Sequence, residues 1–225
     1  MSPAPTGRRW TAARRATAVL GAALVLVGGG VVVHWQLSPR FEAAGVLPAA
    51  AEPPAPAAAP TTSRPGVQAP VVALPDLSFT PTRLTIDTPA VAARVQPVDV
   101  QPDRSLAIPP DVHEVGWWSG GAAPGSPVGT VVLAGHVDSA RSGRGALFDL
   151  GQAAIGSQVV LSGPTGEQGY VVTARRRYLK TDLPWRELFA QREAPSLVLV
   201  TCGGAFDAKT RHYTDNVVVF AVPVP

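Results

Sequence analysis

The segment Ser196-Leu-Val-Leu-Val-Thr-Cys-Gly-Gly204 carries a run of Leu and Val into a threonine, a cysteine and two glycines. A short apolar run ended by glycine has the pattern of a buried strand. Cys202 is the only cysteine in 225 residues, so an intrachain disulfide and a multi-cysteine zinc site are both excluded. Two roles then remain for it. It is either a small buried hydrophobe or a nucleophile that the strand carries to the edge of the fold.

Outward from this strand, residues 82–225 alternate short β-rich runs with Gly, Pro and Asp. Strands are expected at 83–86, 91–100, 105–108, 129–135, 157–162, 169–179, 196–201 and 216–222. About eight strands at this spacing predict a mainly β fold, a closed barrel or a sandwich. Helical patterning is sparse. Pro184-Trp-Arg-Glu-Leu-Phe-Ala190 reads as one short helix with proline near its first turn.

A thiol attacks well only as thiolate, and a nearby imidazole is the common device that promotes it. Of the four histidines, His136 ends the run Gly129-Thr-Val-Val-Leu-Ala-Gly-His136 and so mirrors Cys202 at the tip of a strand. Taken alone it is equally a turn residue before Val-Asp-Ser. Acyl transfer also needs donors for a tetrahedral oxyanion. Candidates are the backbone amides of Gly203 and Gly204, and the guanidinium of Arg211, nine residues after the cysteine. An isolated loop arginine is otherwise a solvated charge.

His136 precedes Cys202 by 66 residues, the reverse of the papain-like order. At these residues the chain resembles a sortase, a membrane-anchored cysteine transpeptidase of Gram-positive bacteria. The family's Thr-Leu-x-Thr-Cys motif appears as Leu197-Val-Leu-Val-Thr201-Cys202, and its histidine motif as Leu133-Ala-Gly-His136-Val-Asp-Ser139. Thr201 to Ala221, with Val115-Gly-Trp-Trp118 and a Pro-rich spacer, is most similar to the class F sortases of actinobacteria. Many sortases carry their catalytic arginine in the final strand, where this chain has Tyr213-Thr-Asp-Asn216. Class F members can place it earlier in the loop, where Arg211 stands.

The resemblance implies a sortase-like closed barrel over 82–225, with His136, Cys202 and Arg211 as the catalytic set. It implies cleavage of a Leu-Pro-x-Thr-Gly-like signal between Thr and Gly through a Cys202 thioacyl intermediate. The protein would then pass to an amine acceptor such as a peptidoglycan precursor. Thr201, Trp185, Leu188 and Phe189 are expected to contact the signal, the last three from the segment between two strands where sortases wall the pocket. Ordinary packing of a short helix explains those three equally well. An anchored binding module without turnover, or a thiol peptidase that only hydrolyses, are the rival functions.

The N-terminal part accounts for the topology and for the net charge of +3. Ala16 to Val33 carries no charge over 18 residues, enough to cross a hydrocarbon core of roughly 30 Å, and a transmembrane helix is expected over 16–35. Arg8, Arg9, Arg14 and Arg15 precede it, which places the tail 1–15 in the cytoplasm and everything after the helix outside. A cleaved signal peptide with Ala49-Ala50-Ala51 as its site is the alternative. Residues 36–81, rich in Pro and Ala, are expected to form an extracytoplasmic linker without fixed structure. Once the N-terminal arginines are set aside, no basic footprint for nucleic acid remains. The acids are dispersed, so no metal or other cofactor is expected.

Overall fold

The computed structural model describes residues 41–48, 76–191 and 194–225. The expected tail 1–15 and membrane span 16–35 lie outside them, as does most of the linker. Among the described residues no helix is long and apolar enough to cross a membrane.

Eleven strands are present among the described residues: β1 Ala44–Gly45, β2 Arg83–Ile86, β3 Val91–Val98, β4 Glu114–Trp118, β5 Thr130–Gly135 and β6 Asp138–Ser139. The others are β7 Gly143–Arg144, β8 Gln158–Gly163, β9 Gly166–Leu179, β10 Ser196–Asp207 and β11 His212–Pro223. One helical turn, α1, spans Trp185–Leu188. Eight strands run in the order β9-β11-β10-β5-β4-β3-β2-β8, and β8 pairs back onto β9 to close the barrel. The closure joins the two ends of this eight-strand order, and β1 is added to it only through β9.

Strand β10 shows why its sequence is apolar without a break. Leu197 and Leu199 enter the barrel core beside Leu84, Val115, Leu133, Leu161 and Val219. Val198 and Val200 point the opposite way and join Ala134, Ala174, Val218 and Phe220 in a second cluster, covered by Leu183 and Leu188. Successive side chains alternate between faces, and here both faces are covered. The barrel wall is therefore buried on two sides where α1 and its flanks lie over it.

Several expectations change. Residues 105–108 form no extended strand; they make only an isolated bridge, Leu106 to Val100, and otherwise run irregularly. Strand β4 was hidden by its glycine. A Cβ on Gly116 would come within 2.8 Å of Val98 on β3, so the residue is dictated by close approach of neighbours, not by a turn. Two parts of the expected linker pack on the barrel. Phe79 is buried, and β1 pairs with β9 at Arg175 and Ala174.

The triplet Arg175-Arg176-Arg177 lies on β9, and its first two members clasp that N-terminal segment. Arg175 Nη2 donates to the Glu42 carbonyl at 3.0 Å and Nη1 to the Ala153 carbonyl at 2.8 Å. Arg176 Nη2 donates to the Gly45 carbonyl at 2.7 Å, and Arg177 pairs with Asp215 at 3.2 Å.

Candidate active site

Strands β5 and β10 run parallel with one constant offset. Ser196 pairs with Thr130 and Val200 with Ala134, each pair 66 positions apart. Cys202 and His136 are separated by the same 66 positions. Cys202 lies on β10 and His136 directly follows the last residue of β5, each two positions beyond the last ladder pair of neighbouring strands about 4.8 Å apart. Cys202 has the parity of Val200 and so faces the outer side, not the barrel interior, and His136 lines the same cavity.

Between them and the ladder, Thr201 turns inward. It is 3% exposed, and its Oγ1 donates to the Gly135 carbonyl at 2.8 Å. That bond continues the pairing of β10 with β5 where the backbone ladder stops. Gly135 is closely packed, because a Cβ there would stand 3.1 Å from Leu147 and 3.3 Å from Val115.

The two glycines after the thiol serve the hairpin. The register of β10 with β11 shifts between Gly203 and Phe206, which marks a bulge. Gly204 has φ of 79°, and a Cβ on it would meet the Asp215 side chain at 2.4 Å. Glycine is thus required here twice over, by backbone conformation and by space.

A cavity of about 310 Å³ opens on the outer face and is lined by both His136 and Cys202. Thr201, Trp185 and Phe189 also line it, so four of the expected substrate and reacting groups share one space with the thiol. Leu188 does not. It is 1% exposed and packs into the outer cluster, bordering a larger groove of about 660 Å³ that contains neither His136 nor Cys202. Trp185 is half exposed, and its ring lies 5.7 Å from that of Phe189, which in turn meets Trp118 edge-on at 5.1 Å.

His136 Nε2 lies 3.1 Å from the Pro109 carbonyl oxygen. A carbonyl only accepts, so this bond requires the proton on Nε2 and leaves Nδ1 as the basic nitrogen. No hydrogen bond joins the thiol to the imidazole among the described residues. Such bonds commonly tighten only when substrate arrives.

Arg211 is not brought to this cavity. It is exposed in the turn of the β10–β11 hairpin, with φ of 59°, and its N–H donates to the Asp207 carbonyl at 2.8 Å. The hairpin pairs Asp207 with His212, four residues along β11 from Asn216, the partner of Cys202. At about 3.3 Å per residue the tip lies well over 10 Å from the thiol along the strand. Proximity in sequence is spent on a hairpin that leads away.

Three groups at the cavity escaped the sequence reading: Asn216 on β11, Lys180, and Ser105 with Leu106 and Ile108 from the irregular segment. Only Asn216 left a signal, a polar residue directly before Val217-Val-Val-Phe-Ala221. Above the site, Tyr213 Oη donates to Asp138 Oδ2 at 2.6 Å and ties the hairpin to the loop after His136. Burial, then the bond and charge of Asp138, push the Tyr213 phenol up to about 12.

An eight-stranded barrel that brings one thiol and one imidazole into one cavity, from neighbouring parallel strands and their ends, carries the groups that thiol acyl chemistry uses. The sortase domain family model matches residues 84–224, and the chain belongs to that family, which places it among the sortase transpeptidases. Among solved structures, sortase A from Corynebacterium diphtheriae is 16% identical with a TM-score of 0.50, covering 66% of this chain and 62% of that one. Sortase C1 from Streptococcus agalactiae is 19% identical with a TM-score of 0.50, over 64% and 67% of the two chains. Sortase C-1 from Actinomyces oris is 16% identical with a TM-score of 0.50, over 64% and 71%. At these identities the likeness is one of fold. No curated protein matches the chain.

Proposed function

We propose that the chain is a membrane-anchored sortase of class F type, held by residues 16–35 with its barrel on the outer side. Its substrates are secreted proteins ending in a Leu-Pro-x-Thr-Gly-like signal, and its acceptor is an amine of the cell wall such as a peptidoglycan precursor. The observation that carries this reading is that Cys202 and His136, 66 positions apart like the paired residues of β10 and β5, line one cavity.

In the first half-reaction Cys202 Sγ, as thiolate, adds to the Thr carbonyl of the signal. The C–N bond to Gly then breaks, and protonated His136 gives its Nδ1 proton to the leaving amine. In the second, His136 takes a proton from the acceptor amine, whose nitrogen attacks the thioester. A new amide forms, the C–S bond breaks, and the thiolate returns. Trp185 and Phe189 supply apolar wall to the signal, and Thr201 holds the part of β10 from which the thiol projects.

The test uses the full chain in detergent with quenched Leu-Pro-x-Thr-Gly peptides and an added amine, followed by mass spectrometry. Cleavage with a ligated product is expected. Saturable binding without cleavage would make it a binding module, and a hydrolysed product alone would make it a peptidase.

A further inference from the structure

Asn216 is the cross-strand partner of Cys202 in the antiparallel β10–β11 hairpin. Directly opposed residues project on the same face with Cβ atoms about 4.5–5.5 Å apart. Asn216 is 8% exposed and lines the thiol cavity. It continues an otherwise apolar row, following Val218 and Phe220 on that face of β11.

Its side-chain amide has no hydrogen-bond partner among the described residues, although every described side-chain nitrogen and oxygen sealed from solvent has one. The amide therefore opens into the cavity, where a polar group is costly to hold without a ligand. Val200, Ala134, Leu106, Ile108 and Phe189 surround that space. A donor in such surroundings acts far more strongly on a developing charge than it would in water.

Resting on the acyl-transfer reading above, we propose that Asn216 is a catalytic residue, and that its Nδ2–H donates to the substrate oxygen as Cys202 adds to the carbonyl. When the Sγ–C bond forms, the carbonyl π pair moves onto that oxygen. Asn216 holds the resulting oxyanion until the pair returns, the C–N bond breaks, and the amine departs with the proton from His136.

Cys202 is the only thiol in the chain, so reactions with two small reagents both report it. p-Nitrophenyl acetate acylates through a tetrahedral oxyanion, whereas iodoacetamide alkylates by displacement and forms none. In the full chain, Asn216→Ala and Asn216→Asp are expected to slow single-turnover acylation, by about 100-fold with a Leu-Pro-Ala-Thr-Gly peptide and measurably with the ester. Alkylation should stay within twofold of wild type. Acylation at the wild-type rate in both variants overturns the assignment, and so does a parallel loss of acylation and alkylation, which would mark a structural role. If the wild-type chain itself is acylated by neither reagent, the acyl-transfer reading falls first and this proposal with it.

Discussion

Thr201 Oγ1 donates to the Gly135 carbonyl at 2.8 Å, one residue before Cys202 on β10 and one before His136 on β5. The hydroxyl fixes the height of the middle of β10 against the end of β5, and with it that of Cys202 and His136. Thr201→Val keeps the shape and removes the donor. It is expected to cost about 1–2 kcal/mol in denaturant unfolding. It should also lower kcat at nearly unchanged KM, while Thr201→Ser keeps both stability and turnover. A normal kcat in the valine variant would show that the bond does not align the pair.

Arg211 holds a left-handed conformation that costs a non-glycine residue roughly 1 kcal/mol. Arg211→Gly should therefore melt at or slightly above the wild-type temperature, and it should turn over signal peptide at close to the wild-type rate. A fall of 100-fold in kcat would return the guanidinium to the reaction.

The two histidines separate in the same way. His136 lines the cavity, whereas His212 is exposed at the base of the hairpin turn. His136→Ala is expected to abolish peptide cleavage and His212→Ala to spare most of it. The opposite ranking, in a fluorogenic cleavage assay, would overturn the assignment of the acid and base.

The Tyr213–Asp138 bond predicts a pH dependence. The folded-state phenol lies near 12, above its ordinary value near 10, so its contribution is complete below pH 10 and is lost as pH rises toward 12. The stability advantage of wild type over Tyr213→Phe should shrink across that window. Melting curves of both proteins at pH 9, 10 and 11 measure it, and a constant difference would contradict the assignment.

Leu188 and Trp185 should respond differently to truncation. Leu188→Ala opens a cavity in the outer cluster and is expected to cost about 2–5 kcal/mol. Trp185→Ala, at a half-exposed position on the cavity wall, should leave stability nearly intact and raise KM for the signal peptide. Equal stability losses in thermal melts would reduce Trp185 to packing alone.

Much of the chemistry was legible in the chain itself. A solitary cysteine and a histidine, each closing a strand-forming run in the sequence, mark the proposed reacting pair. Glycines and prolines at short spacing mark the barrel, because backbone conformation and side-chain volume are local properties. Strand β4 was hidden because Gly116 answers a neighbour, Val98, that is distant in sequence. The opposite faces of β10 were hidden because Leu197 and Val198 are equally apolar, one covered by the barrel and the other by α1.

What only the tertiary structure decided is which groups meet the thiol. The parallel pairing of β5 with β10 at an offset of 66 joins segments far apart in the chain, and no local signal states a register between distant strands. The same holds across the hairpin. A bulge at Gly204 and the length of β10 carry Arg211, nine residues from the cysteine, out to the tip. They set Asn216, fourteen residues away, directly opposite it. Residue identity singled out Cys202 and His136 as the candidates for nucleophile and base. Strand register, set by the packing of two apolar faces at once, determined their company.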